Sequence, residues 1–318
     1  MQPLLSFVKT QRVEKGTKFV DLFCGIGGAS AGAREAGMHV DLAVDFDREM
    51  LGLHRLNHPE SDHVCTALPD NSLVFPSPAE PWWLHGSPPC TKVSRSNQQR
   101  DAGQRGGAVD MVDWYIRTAL SSGATWWTME QVATPPVVET IERVRSSSAA
   151  CARRVAYAIL DFQLLGVPQR RRRLVAGTPS IIAALLRAPR VSGGVVHYVP
   201  VPRGTHVRNA VKRGYSKEAK LPKRRANSQR KLKMYTYGPD DCCLPVQGPS
   251  FCITAHRKIA WATPGTGAPL QYMTPREMAQ IQTFPDDYLL GSSAARAQIG
   301  IGNAVPPLVM RTIVKQAS

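Results

Sequence analysis

Short apolar segments alternate with longer amphipathic ones over the first half of the chain. The apolar segments predict six β-strands, at residues 18–23 (KFVDLF), 40–46, 82–86, 125–130, 155–160 and 172–177. A helix of about ten residues separates the first two strands, and residues 109–121 have the pattern of another helix. Strands that alternate with helices are typical of an α/β domain built on a mostly parallel sheet.

This alternation stops near residue 180 and resumes near the C-terminus. Residues 180–271 are rich in Pro, Gly, Lys and Arg, whereas helical periodicity is seen again at residues 274–282 and after Pro306. We therefore expect residues 1–179 to form the first part of the main domain, residues 180–271 a small basic lobe, and residues 272–318 a segment that returns to the main domain.

The composition narrows the class of protein. A chain of 318 residues with 43% hydrophobic residues can bury a sizeable core. It has no apolar stretch of the roughly 18 to 20 residues that span a bilayer and no signal-peptide pattern at its start, so we expect an intracellular protein without membrane contact. Seven cysteines, an odd number without a CxxC pair, and the lack of HExxH argue against a disulfide framework and a metal site.

The charge is strongly positive and concentrated in one segment. Lys and Arg number 40 against 24 Asp and Glu, which gives a formal charge of +16 and favours a polyanionic partner. Twelve of the basic residues lie between Arg203 and Lys233, with Glu218 as the one acid. This segment is a candidate for contact with nucleic-acid phosphates. A solvated insertion or a nuclear import signal would have a similar composition.

A glycine-rich loop follows the first predicted strand. In DLFCGIGGAS, Gly25, Gly27 and Gly28 precede a helix, which allows a ligand to approach the backbone. The spacing is neither GxGxxG nor GxxxxGK[ST], so it favours an adenosine compound without a phosphate chain. Asp45 ends the second strand, where a carboxylate usually binds ribose hydroxyls, and Phe46 is placed to stack on adenine. Alternatively, the glycines make a tight turn and Asp45 caps the next helix.

Three further motifs carry reactive or charged groups. In GSPPC, two prolines stiffen the backbone before Cys90, as suits a nucleophile, although an incidental cysteine would look the same. Glu130 ends the strand TWWTME; alone, it would more often be a solvated acid. In PQRRRR, alternate residues Gln169, Arg171 and Arg173 would share one face of a strand, although four arginines in a row are also typical of a solvated or phosphate-contacting run.

The segments DLFCGIGG, GSPPC, MEQV, PQRRRR, MTPRE and GNAVPP occur in the order found in the cytosine-5 DNA methyltransferase family. The chain resembles this family from Phe19 to about Val309. The resemblance implies a Rossmann-like class I methyltransferase domain with a small inserted target-recognition lobe. It also implies that Cys90 attacks carbon 6 of a flipped cytosine, after which carbon 5 takes a methyl group from S-adenosylmethionine.

The same resemblance assigns roles to particular residues. Glu130 would hold the cytosine ring, Arg173 its carbonyl oxygen, and Arg171 would help to position Glu130. The residues expected to bind the cofactor are Phe23, Gly25, Ile26, Gly27, Gly28, Asp45, Phe46, Pro89, Asn303 and Val305. Gln131 departs from the family, which usually has asparagine there, and two extra residues after Gln298 leave that glutamine without a role.

We expect the protein to bind double-stranded DNA and to act as a monomer. Residues 91–107 would form a closing loop next to Cys90. The residues expected to contact DNA are Ser94, Arg95, Gln169, Arg208, Lys212, Arg213, Lys223, Arg224 and Arg225. Two alternatives remain: the same reaction on transfer RNA, as in one subfamily of this fold, or a catalytically silent relative that binds DNA.

Overall fold

A seven-stranded sheet forms the centre of the computed structural model, which describes residues 12–89, 106–191, 233–236, 243–245, 249–256, 259–262 and 269–318. Its strands are β1 (Lys18–Leu22), β2 (His39–Asp45), β3 (Asp62–Cys65), β4 (Trp82–Gly86), β5 (Trp126–Val132), β6 (Ala156–Asp161) and β7 (Arg172–Gly177). The strand order is β3-β2-β1-β4-β5-β7-β6. Strand β7 runs antiparallel to both of its neighbours and the other pairs are parallel, so the prediction of a mostly parallel sheet is confirmed.

Helices cover both faces of this sheet. They are α1 (Gly28–Glu35), α2 (Arg48–Asn57), α3 (Gly106–Ser121), α4 (Pro135–Ser146), α5 (Ala149–Arg154), α6 (Pro179–Arg187), α7 (Pro275–Ile281), α8 (Ala294–Asn303) and α9 (Pro307–Ala317), with a 3₁₀ turn at Phe162–Leu165. Successive strand residues enter opposite cores: Trp83 packs in the cluster that contains α6 and α9, and Trp82 packs in the cluster that contains α3 and α4. Burial on both faces explains the continuous apolar strands seen in the sequence.

The sequence located six of the seven strands of this sheet and several of the helices, but it did not place β3, α4, α5, α6 or α8. Strand β4 has the predicted bounds, and α7 begins at Thr274 with the capping box that TPRE suggests. The edge strand β3 was not predicted because DHVC is short and mostly polar. Helix α8 was not predicted because Gly300 and Gly302 interrupt its periodicity; each glycine lies where a Cβ would be within 2.5 Å of a neighbouring segment.

A second, antiparallel sheet lies within the expected lobe. Its strands β8 (Lys233–Thr236), β9 (Cys243–Pro245), β10 (Ile259–Ala262) and β11 (Pro269–Tyr272) have the order β11-β10-β8-β9. Residues 192–232, which hold most of the basic segment, are outside the described residues. Helix α6 starts at the expected boundary near residue 180 but packs with the main sheet, because Ile181, Ile182 and Leu185 belong to the same core cluster as α9.

None of the helices described is long and apolar enough to cross a membrane. In the same part of the chain, no group of three His, Cys, Asp or Glu side chains is arranged to hold a metal ion.

Candidate active site

The glycine loop lies at the C-terminal end of β1, where the parallel strands β2, β4 and β5 also end. Gly25 (φ 53°) and Gly27 (φ 93°) adopt left-handed backbone, and so does the non-glycine residue Phe23 (φ 60°). A Cβ on Gly28 would be 2.2 Å from the carbonyl oxygen of Val305, whereas a Cβ on Gly25 would meet nothing within 4 Å. The loop therefore packs tightly on the C-terminal segment at Gly28 and faces open space at Gly25.

Asp45 connects this loop to the end of β2. Its Oδ2 accepts a hydrogen bond from Gly25 N at 2.8 Å and its Oδ1 accepts one from Asp47 N at 2.8 Å. Burial raises the pKa of Asp45 above its ordinary value. Asp47, and not Asp45, caps helix α2 by accepting from Glu49 N and Met50 N. The alternative that Asp45 is a helix cap is therefore wrong.

Other expected cofactor residues surround the same opening. The Phe46 side chain is 70% exposed beside Asp45, which is unusual for a large apolar group and leaves its ring accessible. Asn303, at the end of α8, is also exposed. Ile26 and Val305 have buried side chains, so a ligand would meet these two residues through their backbone atoms.

The loop before Cys90 is held by hydrogen bonds from two sides. Gln131 Nε2, from β5, donates to the carbonyl oxygen of Pro88 at 2.9 Å. His85 Nε2 lies 3.3 Å from Ser87 Oγ, and the other ring nitrogen of His85 contacts Thr128 Oγ1 at 3.0 Å. Gln131, at a position where the family usually has asparagine, thus reaches the loop that contains Pro88. Pro89 is exposed, and Cys90 itself is outside the described residues.

Glu130, next to Gln131 on β5, pairs with Arg173 on β7. Arg173 Nε lies 3.0 Å from Glu130 Oε1, and both side chains are largely buried, at 15% and 10% exposed. The contact is not aligned as a hydrogen bond, so among the described residues Oε1 has no hydrogen-bond donor. The carboxylate is thus held in place by the opposite charge while keeping its capacity to bind a ligand.

The alternation predicted for PQRRRR is confirmed, because Gln169 and Arg171 are buried and Arg170 and Arg172 are exposed. The contacts of Arg171 differ from its expected role of positioning Glu130. The Arg171 guanidinium donates to the carbonyl oxygens of Ile253 (3.0 Å), Gly302 (3.3 Å) and Ala304 (3.0 Å). Burial lowers the pKa of Arg171. Arg171 therefore joins three segments of backbone, and Arg173 is the arginine that contacts Glu130.

Gln169 does not face DNA, contrary to the expectation. Its side chain is 0% exposed, its Nε2 donates to Ile281 O and Gln282 Oε1, and its Oε1 accepts from Ile253 N at 3.0 Å. The three hydrogen bonds use the amide to join the loop before β7 to α7 and to the segment around residue 253. Gln169 is therefore a structural residue of the main domain.

Cys252 is a member of the site that the sequence did not indicate. Its Sγ lies 3.5 Å from Arg171 Nη1 and 3.7 Å from Arg173 Nη2. Burial raises the pKa of this thiol, but the two guanidinium groups outweigh that effect and lower the pKa below its ordinary value. No sequence signal could link Cys252 to the arginines, because the two segments are far apart along the chain.

The remaining expected site residues lie outside the described part of the chain. They are Cys90, Ser94, Arg95, Arg208, Lys212, Arg213, Lys223, Arg224 and Arg225. Their roles stay predictions from the sequence.

Solved structures of methyltransferases have the same fold. The chain matches the S. pombe Dnmt2 methyltransferase with a TM-score of 0.55 and 14% identity, over 94% of this chain and 97% of that one. It matches the Entamoeba histolytica methyltransferase EhMeth with a TM-score of 0.52 and 13% identity, over 96% and 98% of the two chains. At such identities the likeness shows the fold alone, a Rossmann-like class I methyltransferase domain.

Curated relatives and a family model define the protein more closely. The Type II methyltransferase M.HgiDI of Herpetosiphon aurantiacus is 25% identical over 297 residues, which covers 91% of this chain and 90% of that protein. The Type II methyltransferase M1.HphI of Haemophilus parahaemolyticus is 25% identical over 329 residues, covering 93% and 85%. The model of the C-5 cytosine-specific DNA methylase family matches residues 17–178 and 198–318. The chain therefore belongs to this family and is a DNA cytosine-5-methyltransferase.

Proposed function

We propose that the protein methylates carbon 5 of a cytosine that is flipped out of double-stranded DNA, through a covalent bond between the Cys90 thiolate and carbon 6. The observation that carries this proposal is the position of two adjacent residues of β5, Glu130 and Gln131. Glu130 lies against Arg173, and its neighbour Gln131 holds Pro88, two residues before Cys90. Two adjacent residues of one rigid strand thus have linked tasks: one is the carboxylate expected to bind the base, and the other holds the loop that leads to the nucleophile.

The chemistry accounts for these residue types. Addition of the Cys90 thiolate to carbon 6 forms a C–S bond and pushes electrons into the ring, where Glu130 stabilises the developing charge. Carbon 5 then takes the methyl group, loses its proton to a water molecule, and the C–S bond breaks to release the thiolate. Arg173 keeps Glu130 in place, and its guanidinium group is suited to bind the cytosine carbonyl oxygen.

S-adenosylmethionine is the proposed methyl donor, since it supplies an electrophilic methyl group on a sulfonium centre. The residues around the glycine loop fit this molecule. Gly25 faces open space, Asp45 is fixed at the end of β2 by two backbone N–H groups and retains further acceptor capacity for ribose hydroxyls, and the exposed Phe46 ring can stack on adenine. Phe23, Pro89 and Asn303 complete the proposed surface.

Contact with DNA is assigned to basic residues of two segments of the sequence. A cytosine in a duplex hides carbon 6, so the base must leave the stack before the thiolate can add. We assign closure over the flipped base to residues 91–107, including Ser94 and Arg95, and phosphate contact to the lobe of residues 180–271. The support for both assignments is their composition, since phosphate contacts require Lys, Arg and small polar residues.

Transfer of a labelled methyl group tests this function directly. Unmodified protein and S-adenosylmethionine with a tritiated methyl group should label duplex DNA, Cys90→Ser should abolish labelling, and the matched control Cys65→Ser, at an exposed free cysteine, should keep it. Labelling of transfer RNA in preference to duplex DNA would change the substrate. Binding of DNA without transfer to any sequence would identify a silent relative.

A further inference from the structure

A chain of buried polar side chains lies beneath the glycine loop, and the proposed mechanism does not use it. Ser30 Oγ donates to Asp21 Oδ2 at 2.7 Å. His54 Nε2 lies 3.0 Å from Ser30 Oγ, and His54 Nδ1 lies 2.9 Å from His63 Nε2. Asp21, Ser30 and His54 are at most 2% exposed, whereas His63, on the edge strand β3, is partly exposed. The chain thus runs from a buried carboxyl to the protein surface.

The hydrogen bonds can all point in one direction. With Asp21 ionised, His63 Nε2–H donates to His54 Nδ1, His54 Nε2–H donates to Ser30 Oγ, and the Ser30 hydroxyl donates to the carboxylate. A proton taken up at His63 Nδ1 reverses every bond. The Nε2 proton of His63 passes to His54 Nδ1, the Nε2 proton of His54 passes to Ser30, and the Ser30 proton passes to Asp21. The three hydrogen bonds between these side chains are kept in both arrangements. His63 also faces the backbone carbonyl of Ser61, to which its second ring nitrogen donates once it has taken up the proton.

These hydrogen-bonded side chains pack directly against the proposed cofactor loop. A Cβ on Gly27 would lie 2.8 Å from His54 Cδ2 and 2.6 Å from the hydroxyl oxygen of Tyr288. That hydroxyl contacts the carbonyl oxygens of Ile26 and Gly27 and lies 3.1 Å from His58 Nε2. A change of charge at Asp21 therefore occurs immediately below the backbone that would hold the cofactor.

Titratable and charged groups face the chain from each element packed against it. They are Cys24 of the glycine loop, Arg34 of α1, Asp45 of β2, Arg55 of α2 and His58 at its end, Glu60, Asp62 of β3, His85 of β4 (the register partner of Asp21), Tyr115 of α3, and Tyr288. Burial raises the pKa of Asp21 to about 7, and the hydrogen bonds from Ser30 limit this rise. Burial lowers the pKa of His54 well below its ordinary value, so this ring passes protons along without holding a charge.

We propose that Ser30, His54 and His63 form a proton relay between Asp21 and solvent, and that the charge of Asp21 makes the glycine loop select the cationic methyl donor over its uncharged thioether product. This inference rests on the proposed function. The sulfonium of S-adenosylmethionine carries a positive charge that S-adenosylhomocysteine lacks, so binding of the donor favours ionised Asp21 and expels a proton through the relay. Asp21 is a specificity-determining residue in this scheme, and the three relay residues position its proton.

The effect can be estimated from Coulomb's law. Two unit charges about 10 Å apart at an effective dielectric constant of about 20 interact strongly enough to change an equilibrium constant about ten-fold. The preference for S-adenosylmethionine over S-adenosylhomocysteine should therefore rise about five-fold between pH 6 and pH 8, because Asp21 ionises mostly within this interval and the rest of the change falls below pH 6.

Isothermal titration calorimetry in two buffers of different ionisation enthalpy counts the protons released on binding. At pH 7, S-adenosylmethionine should release a substantial fraction of one proton and S-adenosylhomocysteine much less. Asp21→Asn should remove this difference, and the control Asp41→Asn, a partly exposed acid on β2, should keep it. If both ligands bind with equal proton release, the inference fails and the proposed function survives. If neither ligand binds at any pH, both fail.

The relay has a signature in the unmodified protein, so the inference stays testable even if Asp21→Asn does not fold. The ¹⁵N shifts of labelled histidines report which ring nitrogen carries the proton. His54 should change from the Nε2–H to the Nδ1–H tautomer as the pH falls through about 7, the value to which burial raises the pKa of Asp21. A His54 tautomer that is constant from pH 5.5 to pH 8.5 would overturn the relay.

Discussion

Replacement of Arg171 by methionine removes a buried guanidinium group and keeps an unbranched side chain. Three carbonyl oxygens, those of Ile253, Gly302 and Ala304, would lose their donor. Each buried carbonyl left without a partner costs about 1 to 3 kcal/mol, and relief of guanidinium burial offsets part of the sum. We expect the free energy of unfolding to fall by about 3 to 5 kcal/mol, a large part of a typical domain stability.

Urea denaturation of the variant, followed by tryptophan fluorescence and by far-ultraviolet circular dichroism, measures this loss. Arg170→Met is the matched control, because Arg170 is the exposed neighbour in the same run and should change stability by no more than about 0.5 kcal/mol. The contacts assigned to Arg171 would be refuted if the two variants differed by less than about 1 kcal/mol.

Four further predictions concern the packing and the buried groups. Gly28→Ala should destabilise the protein by at least about 1 to 3 kcal/mol in urea denaturation, since its Cβ would meet Val305 O at 2.2 Å. Gly52→Ala, in open space on α2, should instead stabilise it by about 1 kcal/mol. Gln131→Leu should slow single-turnover methylation about ten- to a hundred-fold by releasing Pro88; an unchanged rate would count against this clamp. Stability should fall as pH drops below the unfolded histidine pKa of about 6.5, by up to about 1.4 kcal/mol per pH unit for each histidine that only the unfolded chain protonates. Burial lowers the pKa of three such histidines. It lowers the pKa of His58 and of His85 to about 3, and it lowers that of His54 well below its ordinary value. Urea midpoints that do not change between pH 7 and pH 5 would contradict this assignment.

The sequence predicted the parts of the fold where local pattern and tertiary environment agree. Strand β4 is apolar throughout because both faces of the sheet are covered, and helix α7 begins with a capping box that can be seen in four residues. Strand β3 and helix α8 depend on contacts with distant segments, such as the approach of Gly302 to Thr254 and Ala255. Local periodicity contains no information about such contacts, so neither element could be predicted.

The candidate site, like the fold, could be predicted only in part. The glycine loop and Asp45 lie where β1 and β2 end and Glu130 lies two residues before the end of β5, so the sequence placed them at one edge of the sheet. The contact between Arg173 and Glu130 was not predicted, because alternation gives the face of a side chain but not its partner. Gln169 was taken for a DNA contact because a buried amide that joins three segments cannot be distinguished, in sequence, from an exposed one.

The covalent role of Cys90 is the central claim. Duplex DNA with 5-fluorocytosine at the target position tests it most directly, because fluorine at carbon 5 prevents the loss of a proton that would release the thiolate. After reaction with S-adenosylmethionine, mass spectrometry of the digested complex should find the methylated fluorocytosine adduct on the peptide that contains Cys90, and Glu130→Gln should form it more slowly. An adduct on another cysteine, or methylated DNA released with no adduct, would contradict the account.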